Sequence, residues 1–238
     1  MTVERDAEPS QRPFVSFGFY KIDPSWRRLA QHERTQQKAE FAEAYNRHAK
    51  GDKVTCRSYS TVGVRSDCDL LLWRTSHVLD AIQDMTGEIL RTQMGGWLTP
   101  TTTLLGMPKT SACDDAGPAP AEHDARLKNV PGHARYVFVY PFVKTREWDL
   151  MTHHARQGIM EEQASIGSKY PRVKLSTTYS FGIDDPNFVV ILESNYPQDF
   201  VDLVAELREA ESNRFTVRDT PTFTCIARPI NEALDLLG

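Results

Sequence analysis

Thr99-Pro100-Thr101-Thr102-Thr103-Leu104-Leu105 returns about 120 residues later as Thr220-Pro221-Thr222-Phe223-Thr224-Cys225-Ile226, and similarity at a fixed spacing is the mark of a duplicated unit. A second pair has an offset that is also about 120: Gly63-Val64 ahead of Asp69-Leu70-Leu71-Leu72-Trp73 corresponds to Gly182-Ile183 ahead of Phe188-Val189-Val190-Ile191-Leu192. The offset is close to half of the 238-residue chain, as a tandem fusion of two copies requires.

Outward from these pairs, each copy reads as β-α-β-β-α-β, the ferredoxin-like order. In the first, the strand Phe14 to Tyr20 leads through Asp23-Pro24 into a helix with Trp26, Leu29, Phe41 and Tyr45 at helical spacing. Strands Lys53 to Val62 and Cys68 to Arg74, a helix around Ile82, Met85, Ile89 and Leu90, and a strand near Thr101 to Leu105 complete it. The second copy has strand Tyr136 to Val143, a helix from Arg146 to Ile166, strands Val173 to Phe181 and Phe188 to Glu193, a helix after Pro197 and a strand near Thr222 to Ala227. Between the copies, Pro108 to Gly132 is rich in turn formers and has no apolar period. The expected organisation is a polar tail over 1–13, a unit over 14–107, a linker over 108–132 and a unit over 133–238 that carries the site.

Tyr136-Val137-Phe138-Val139-Tyr140-Pro141-Phe142-Val143 puts aromatics on one face and small apolar groups on the other, so both faces must be covered. Ferredoxin-like sheets carry helices on one side only, which leaves the other copy to cover the second face. The expected fold class is therefore α+β: tandem ferredoxin-like repeats packed sheet to sheet into a barrel-like dimeric α+β fold. Pro141 cannot donate to a ladder, so it is expected at an edge or a bulge.

The composition is that of an ordinary globular protein, 40% hydrophobic and 25% charged. A formal net charge of -4 gives no electrostatic case for nucleic acid or anionic membrane. No apolar run approaches the length of a membrane span or a signal peptide, and the expected location is cytoplasmic. Cys56, Cys68, Cys113 and Cys225 have neither zinc nor disulfide spacing, and His153-His154 point about 100° apart on a helix, as ordinary surface residues do.

At Tyr140-Pro141-Phe142-Val143-Lys144 the sequence resembles the chlorite dismutase family, and within it the coproheme decarboxylase branch. That branch carries a Tyr-Pro-Met-Ser-Lys-like segment followed by a tryptophan in the next helix, as Trp148 is here. The likeness extends over the second half, through Met160-Glu161-Glu162-Gln163, Lys169-Tyr170-Pro171 and Ser180-Phe181-Gly182-Ile183-Asp184-Asp185. It implies haem or coproheme as cofactor, Tyr140 as the radical carrier that takes hydrogen from a propionate, and Lys144 and Arg126 as clamps for propionate carboxylates. It also implies a homo-oligomer, commonly a homopentamer.

Two positions depart from the family pattern. The resemblance implies an iron-binding histidine where this chain has Gln163, a residue that shares helical spacing with Trp148, Met151 or Thr152, Ala155, Ile159 and Ile166 and is expected in their apolar stripe. Carboxamide oxygen is a weaker ligand than imidazole, and His153 and His154 lie roughly 13 to 15 Å away along a helix axis. The distal position corresponds to Leu175, which offers an iron-bound oxyanion no hydrogen bond and argues against chlorite breakdown. Three functions stay open: a coproheme decarboxylase-type oxidoreductase with altered ligation, a non-catalytic porphyrin-binding protein, and a haem-free enzyme using the same pocket for another small acidic substrate.

Overall fold

A computed structural model describes residues 12–108, 131–132 and 134–238. Arg126 and Cys113 lie outside these residues, as does most of the expected tail and linker.

In the first half, alternating apolar residues form strands β1 (Phe14–Ile22), β2 (Thr55–Ser60), β3 (Leu70–Ser76) and β4 (Leu98–Pro108). They lie in the order β4-β1-β3-β2, all antiparallel. Helix α1 (Gln31–Ala49) starts where the Glu33 carboxylate accepts the Ala30 N–H at 2.9 Å, and α2 (Leu79–Arg91) buries Ala81, Ile82, Met85 and Ile89 on one stripe. The second half repeats the arrangement with β5 (Tyr136–Lys144), β6 (Lys174–Tyr179), β7 (Phe188–Ser194) and, after the short strand β8 (Thr216–Arg218), β9 (Phe223–Ala227). Its order, β9-β5-β7-β6, is the same permutation.

The two sheets do more than pack face to face. β2 pairs with β9 and β4 with β6, so the eight main strands close into one barrel within a single chain. The interior is filled from both halves by Phe17, Phe19, Tyr59, Trp73, Val137, Val139, Val189, Ile191 and Phe223, and the Phe19 and Phe223 rings stack at 4.0 Å between centroids. Val137 and Val139 point inward and Phe138, Tyr140 and Phe142 outward, the alternation read in the sequence. Pro141 sits where β5 has left β9, which it pairs through Val139, and has not yet met β8, which it pairs from Val143, with a register shift between Val143 and Lys144.

Closure sets a steric demand at the β4–β6 seam. A Cβ on Gly106 would lie 2.7 Å from Thr178 Cβ, nearer still to Thr178 Oγ1, and 3.1 Å from Ser180 Oγ. Gly106→Val is expected to lower the unfolding free energy by about 2 to 3 kcal/mol, read as a lower urea midpoint at unchanged slope.

Outside the barrel the halves differ from expectation in two places. The helix expected over Arg146 to Ile166 is broken into α3 (Arg146–Leu150) and α4 (His153–Ser168), because Met151 and Thr152 are extended and the Thr152 hydroxyl caps the new helix by accepting the Ala155 N–H. After α5 (Pro197–Glu209), the chain ends in a helix not read in the sequence, α6 (Ile230–Asp235), which crosses back to the first half. There Ile230, Ala233, Leu234 and Leu237 join Trp26, Phe41 and Met85 in one cluster, and Arg27 Nε donates to Leu237 O at 2.8 Å.

Candidate functional site

Strand register puts matching rows on the outer sheet face of each half. In the first half these are Cys56–Arg74–Ser16, Ser58–Leu72–Gly18 and Ser60–Leu70–Tyr20 across β2, β3 and β1. Small side chains and Gly18 let α1 and α2 descend onto this face, and Arg74 is 2% exposed. In the second half the rows across β6, β7 and β5 are Leu175–Leu192–Phe138, Thr177–Val190–Tyr140 and Tyr179–Phe188–Phe142. Helix α5 covers only part of this surface, with Phe200 stacked on Phe138 at 3.8 Å. Tyr140, Phe142, Tyr179 and Phe188 are half-buried, and Leu175 is 41% exposed.

Helix α4 does not seal the remainder. None of its residues is buried, and it packs on α5 and on the turn Glu211–Phe215. The outer face therefore stays partly open, and mostly apolar, at Leu175, Thr177, Tyr179, Phe188, Tyr140 and Phe142, while Phe138, Val190 and Leu192 are covered. A flat, mostly apolar ligand matches that shape. In the first half, with the same topology, Phe41, Ala44, Ile82, Met85 and Ile89 of α1 and α2 are buried against the sheet, and a cavity remains at its margin between Tyr45, Lys50, Arg57, Ser58 and Arg228.

Lys144 and Gln163 converge at one edge of this area through one residue that the sequence did not single out, Ser212. Lys144 Nζ donates to Ser212 O at 2.8 Å and to Thr216 Oγ1 at 3.4 Å, and it lies over the rings of Trp148 and Phe142 at 4.5 and 4.9 Å. Gln163 Nε2 donates to Ser212 Oγ at 2.7 Å. Gln163 is half-buried, not in a buried stripe, and Ala155 of the same expected stripe is exposed. The cause is the break at Thr152, which lets α4 stand off the sheet. His153 and His154 are exposed at the start of α4.

Lys144 is 9% exposed and meets no carboxylate among the described residues; burial lowers its ammonium to a pKa of about 8. The duplication shows why its charge is uncompensated. In the first half the Ile22 N–H donates to buried Asp69, which also neutralises Lys21 at 2.9 Å. In the second half the Lys144 N–H donates to Asn187 Oδ1 at 2.8 Å; strand register matches Leu70 with Phe188, one residue off the correspondence read in the sequence, so the neutral amide of Asn187 occupies the place of Asp69.

Tyr140 occupies the central row. Its phenol is held well above its usual pKa by burial first and then by the Asp219 carboxylate, against a smaller opposing effect of Arg208. It therefore stays protonated at any ordinary pH. Ser212 and Thr216 gave no signal in the sequence, because a serine in a turn and a threonine in a three-residue strand acquire meaning only from long-range contact.

The chlorite dismutase family model matches residues 34–228 of this chain. The chain belongs to the chlorite dismutase family. It is 25% identical over 173 residues to coproheme decarboxylase from Mycolicibacterium smegmatis, covering 70% of each chain. It is 26% identical over 231 residues to chlorite dismutase from Ideonella dechloratans, covering 94% of this chain and 80% of that one. The fold superposes on chlorite dismutase from Candidatus Nitrospira defluvii, solved in complex with imidazole, with a TM-score of 0.82 at 24% identity over 94% of both chains.

Two features of this region are chemically suited to an acidic, mostly apolar ligand: the half-buried aromatic face and a buried cation that meets no carboxylate among the described residues. The side chain that α4 presents beside Ser212 is a carboxamide, and its Nε2 is taken by the Ser212 hydroxyl, which leaves Oε1 as its acceptor end. Among the described residues no helix is long and apolar enough to cross a membrane, and no group of three or more His, Cys, Asp or Glu side chains could hold a metal ion.

Proposed function

We propose that this protein is an iron-porphyrin oxidoreductase of the coproheme decarboxylase type, acting in haem formation, with its site on the outer face of the 133–238 unit. The observation that carries the reading is a partly open apolar sheet face bordered by Lys144, a buried ammonium with no carboxylate partner among the described residues. In this reading the Tyr140, Val190 and Thr177 row and Leu175 would line the cleft for the macrocycle. Lys144, with Arg126 as second clamp, would take propionate carboxylates, and Gln163 would be the candidate protein ligand of the iron. The unit 14–107 closes the barrel. The family likeness extends the proposal to a cytoplasmic homopentamer.

Bound iron porphyrin with peroxide would supply the oxidising equivalents. Conversion of a propionate to a vinyl group releases carbon dioxide, one proton and two electrons, and peroxide takes up two electrons and two protons to give two waters. The chain's own part is to hold the carboxylate and to move one hydrogen atom through Tyr140 Oη. A phenol kept protonated by burial loses its proton together with its electron, which avoids leaving a charge in an apolar cleft. Leu175 offers no donor to an oxyanion, which disfavours chlorite as substrate.

The carboxamide of Gln163 favours a second reading, a haem-free enzyme for another small acid in the same cleft; loss of turnover alone would leave a porphyrin-binding protein. Titration with ferric coproheme distinguishes the three. The decarboxylase reading expects a saturable Soret band at one equivalent per chain and, after peroxide, stepwise loss of carbon dioxide in the mass of the porphyrin. Uptake without mass loss marks a binding protein, and no uptake with colour restored in Gln163→His marks the haem-free enzyme.

A further inference from the structure

Helix α4 packs on α5, rests Ile166 against the outer-face cluster and makes two polar contacts with one turn. Glu162 Oε2 accepts the Glu211 N–H at 3.0 Å, and the next residue, Gln163, donates to the next residue of the turn, Ser212 Oγ, at 2.7 Å. No residue of α4 is buried and Gln163 is half-buried, so hydrogen bonding contributes to fixing its carboxamide. The turn itself is firmly held. Thr145 N donates to Phe215 O at 2.9 Å, Asn213 N to Ala210 O at 3.0 Å and Asn213 Nδ2 to Arg208 O at 3.0 Å, while Lys144 Nζ grips Ser212 O from the sheet side. Ser212 is 1% exposed.

We propose that Ser212 is the positioning residue of the site: its hydroxyl takes the amide hydrogen of Gln163 and so sets which atom of that side chain, Oε1, is turned toward a ligand in the cleft. An amide has one donor end and one acceptor end, and a partner that satisfies the donor end leaves the acceptor exposed. Ser212 thereby does for a carboxamide what an outer hydrogen-bond partner does for a metal-binding imidazole, fixing its rotation and its free lone pair. The ligand-facing role of Oε1 rests on the function proposed above. The Ser212 bond to Gln163 does not, because it is made by the chain alone.

The test uses the full chain and two variants, Ser212→Ala and Ser212→Thr. In 15N-labelled protein without ligand, the side-chain amide of Gln163, assigned by its disappearance in Gln163→Glu, is expected to be shifted and slow to exchange in the parent and in Ser212→Thr. In Ser212→Ala it should exchange at least about tenfold faster. With ferric coproheme, the parent and Ser212→Thr should share one Soret maximum and electron paramagnetic resonance signal, and Ser212→Ala should give another. Equal amide exchange in the parent and Ser212→Ala would overturn the proposal, as would Ser212→Thr behaving like Ser212→Ala in both measurements. Failure of the parent to take up coproheme would instead overturn the function, with amide exchange still deciding the role of Ser212.

Discussion

Tyr140→Phe should lower peroxide-dependent loss of propionate by at least about 100-fold, close to 3 kcal/mol of activation free energy, while coproheme binds within about threefold of the parent. The expectation rests on how little else the substitution changes. The Tyr140 ring is half-buried on the outer face of β5, 6.4 Å from Phe142, and phenylalanine fills the same space. Burial and the charges of Asp219 and Arg208 account for the behaviour of the phenol, with no hydrogen bond contributing. Removing the hydroxyl therefore strands no donor or acceptor among the described residues, and the stability change should stay within about 1 kcal/mol. A loss of turnover with binding and stability intact would then report on the hydrogen atom that the phenol carries. Turnover within about threefold of the parent would remove Tyr140 from the reaction. Because the phenol is held above its usual pKa, activity should show no step from Tyr140 ionisation up to pH 10.

Much of this was legible in the sequence, for a physical reason. Strands with period-two alternation announce two faces, and β5 carries both kinds of side chain in full view: valines for the barrel, aromatics for the cleft. The repeated Thr-Pro segments announced two like halves, and the strand orders β4-β1-β3-β2 and β9-β5-β7-β6 are alike. The closing of the barrel was less visible, since the β2–β9 and β4–β6 pairings join residues far apart in sequence. The stripe through Trp148, Ala155, Ile159 and Gln163 was read as one helix because spacing alone cannot weigh the capping preference of Thr152 against helix continuation. That one break moved Gln163 from a buried stripe to a half-buried place at the turn. Helix α6 was missed because six residues are too few to show a period, and its Leu234 and Leu237 are explained only by the first-half core they cover. Lys144 was read as a ligand clamp by likeness; that its ammonium would be buried on Ser212 and Thr216, without an anion, follows from Asn187 standing where the other half has Asp69.

Lys144 should accordingly leave a signature in the pH dependence of stability that a bound acid erases. Its folded pKa, about 8, lies below the value near 10.4 of an unfolded lysine. Between these values the unfolded chain binds more protons than the folded one, so stability rises with pH across that window. From pH 7 to 9.5 the gain is about 2 kcal/mol, and it should vanish in Lys144→Met; the comparison of the two proteins cancels the contributions of other groups. The measurement is chemical denaturation at closely spaced pH values. Below pH 8 the parent holds an ammonium whose partners among the described residues are two oxygen acceptors and two aromatic faces, with no carboxylate. A carboxylate beside it would raise its pKa and flatten the curve, so coproheme should remove the slope from the parent and should bind Lys144→Met at least about tenfold more weakly, the loss of one charge-assisted hydrogen bond. A slope shared by both proteins would mean that the ammonium reaches water in solution. A slope present only in the parent and untouched by coproheme would mean that Lys144 is buried for the fold and not for a ligand. Only a slope that belongs to Lys144 and disappears with the acid makes this lysine a binding group, since burial of a charge costs stability that a structural methionine would not.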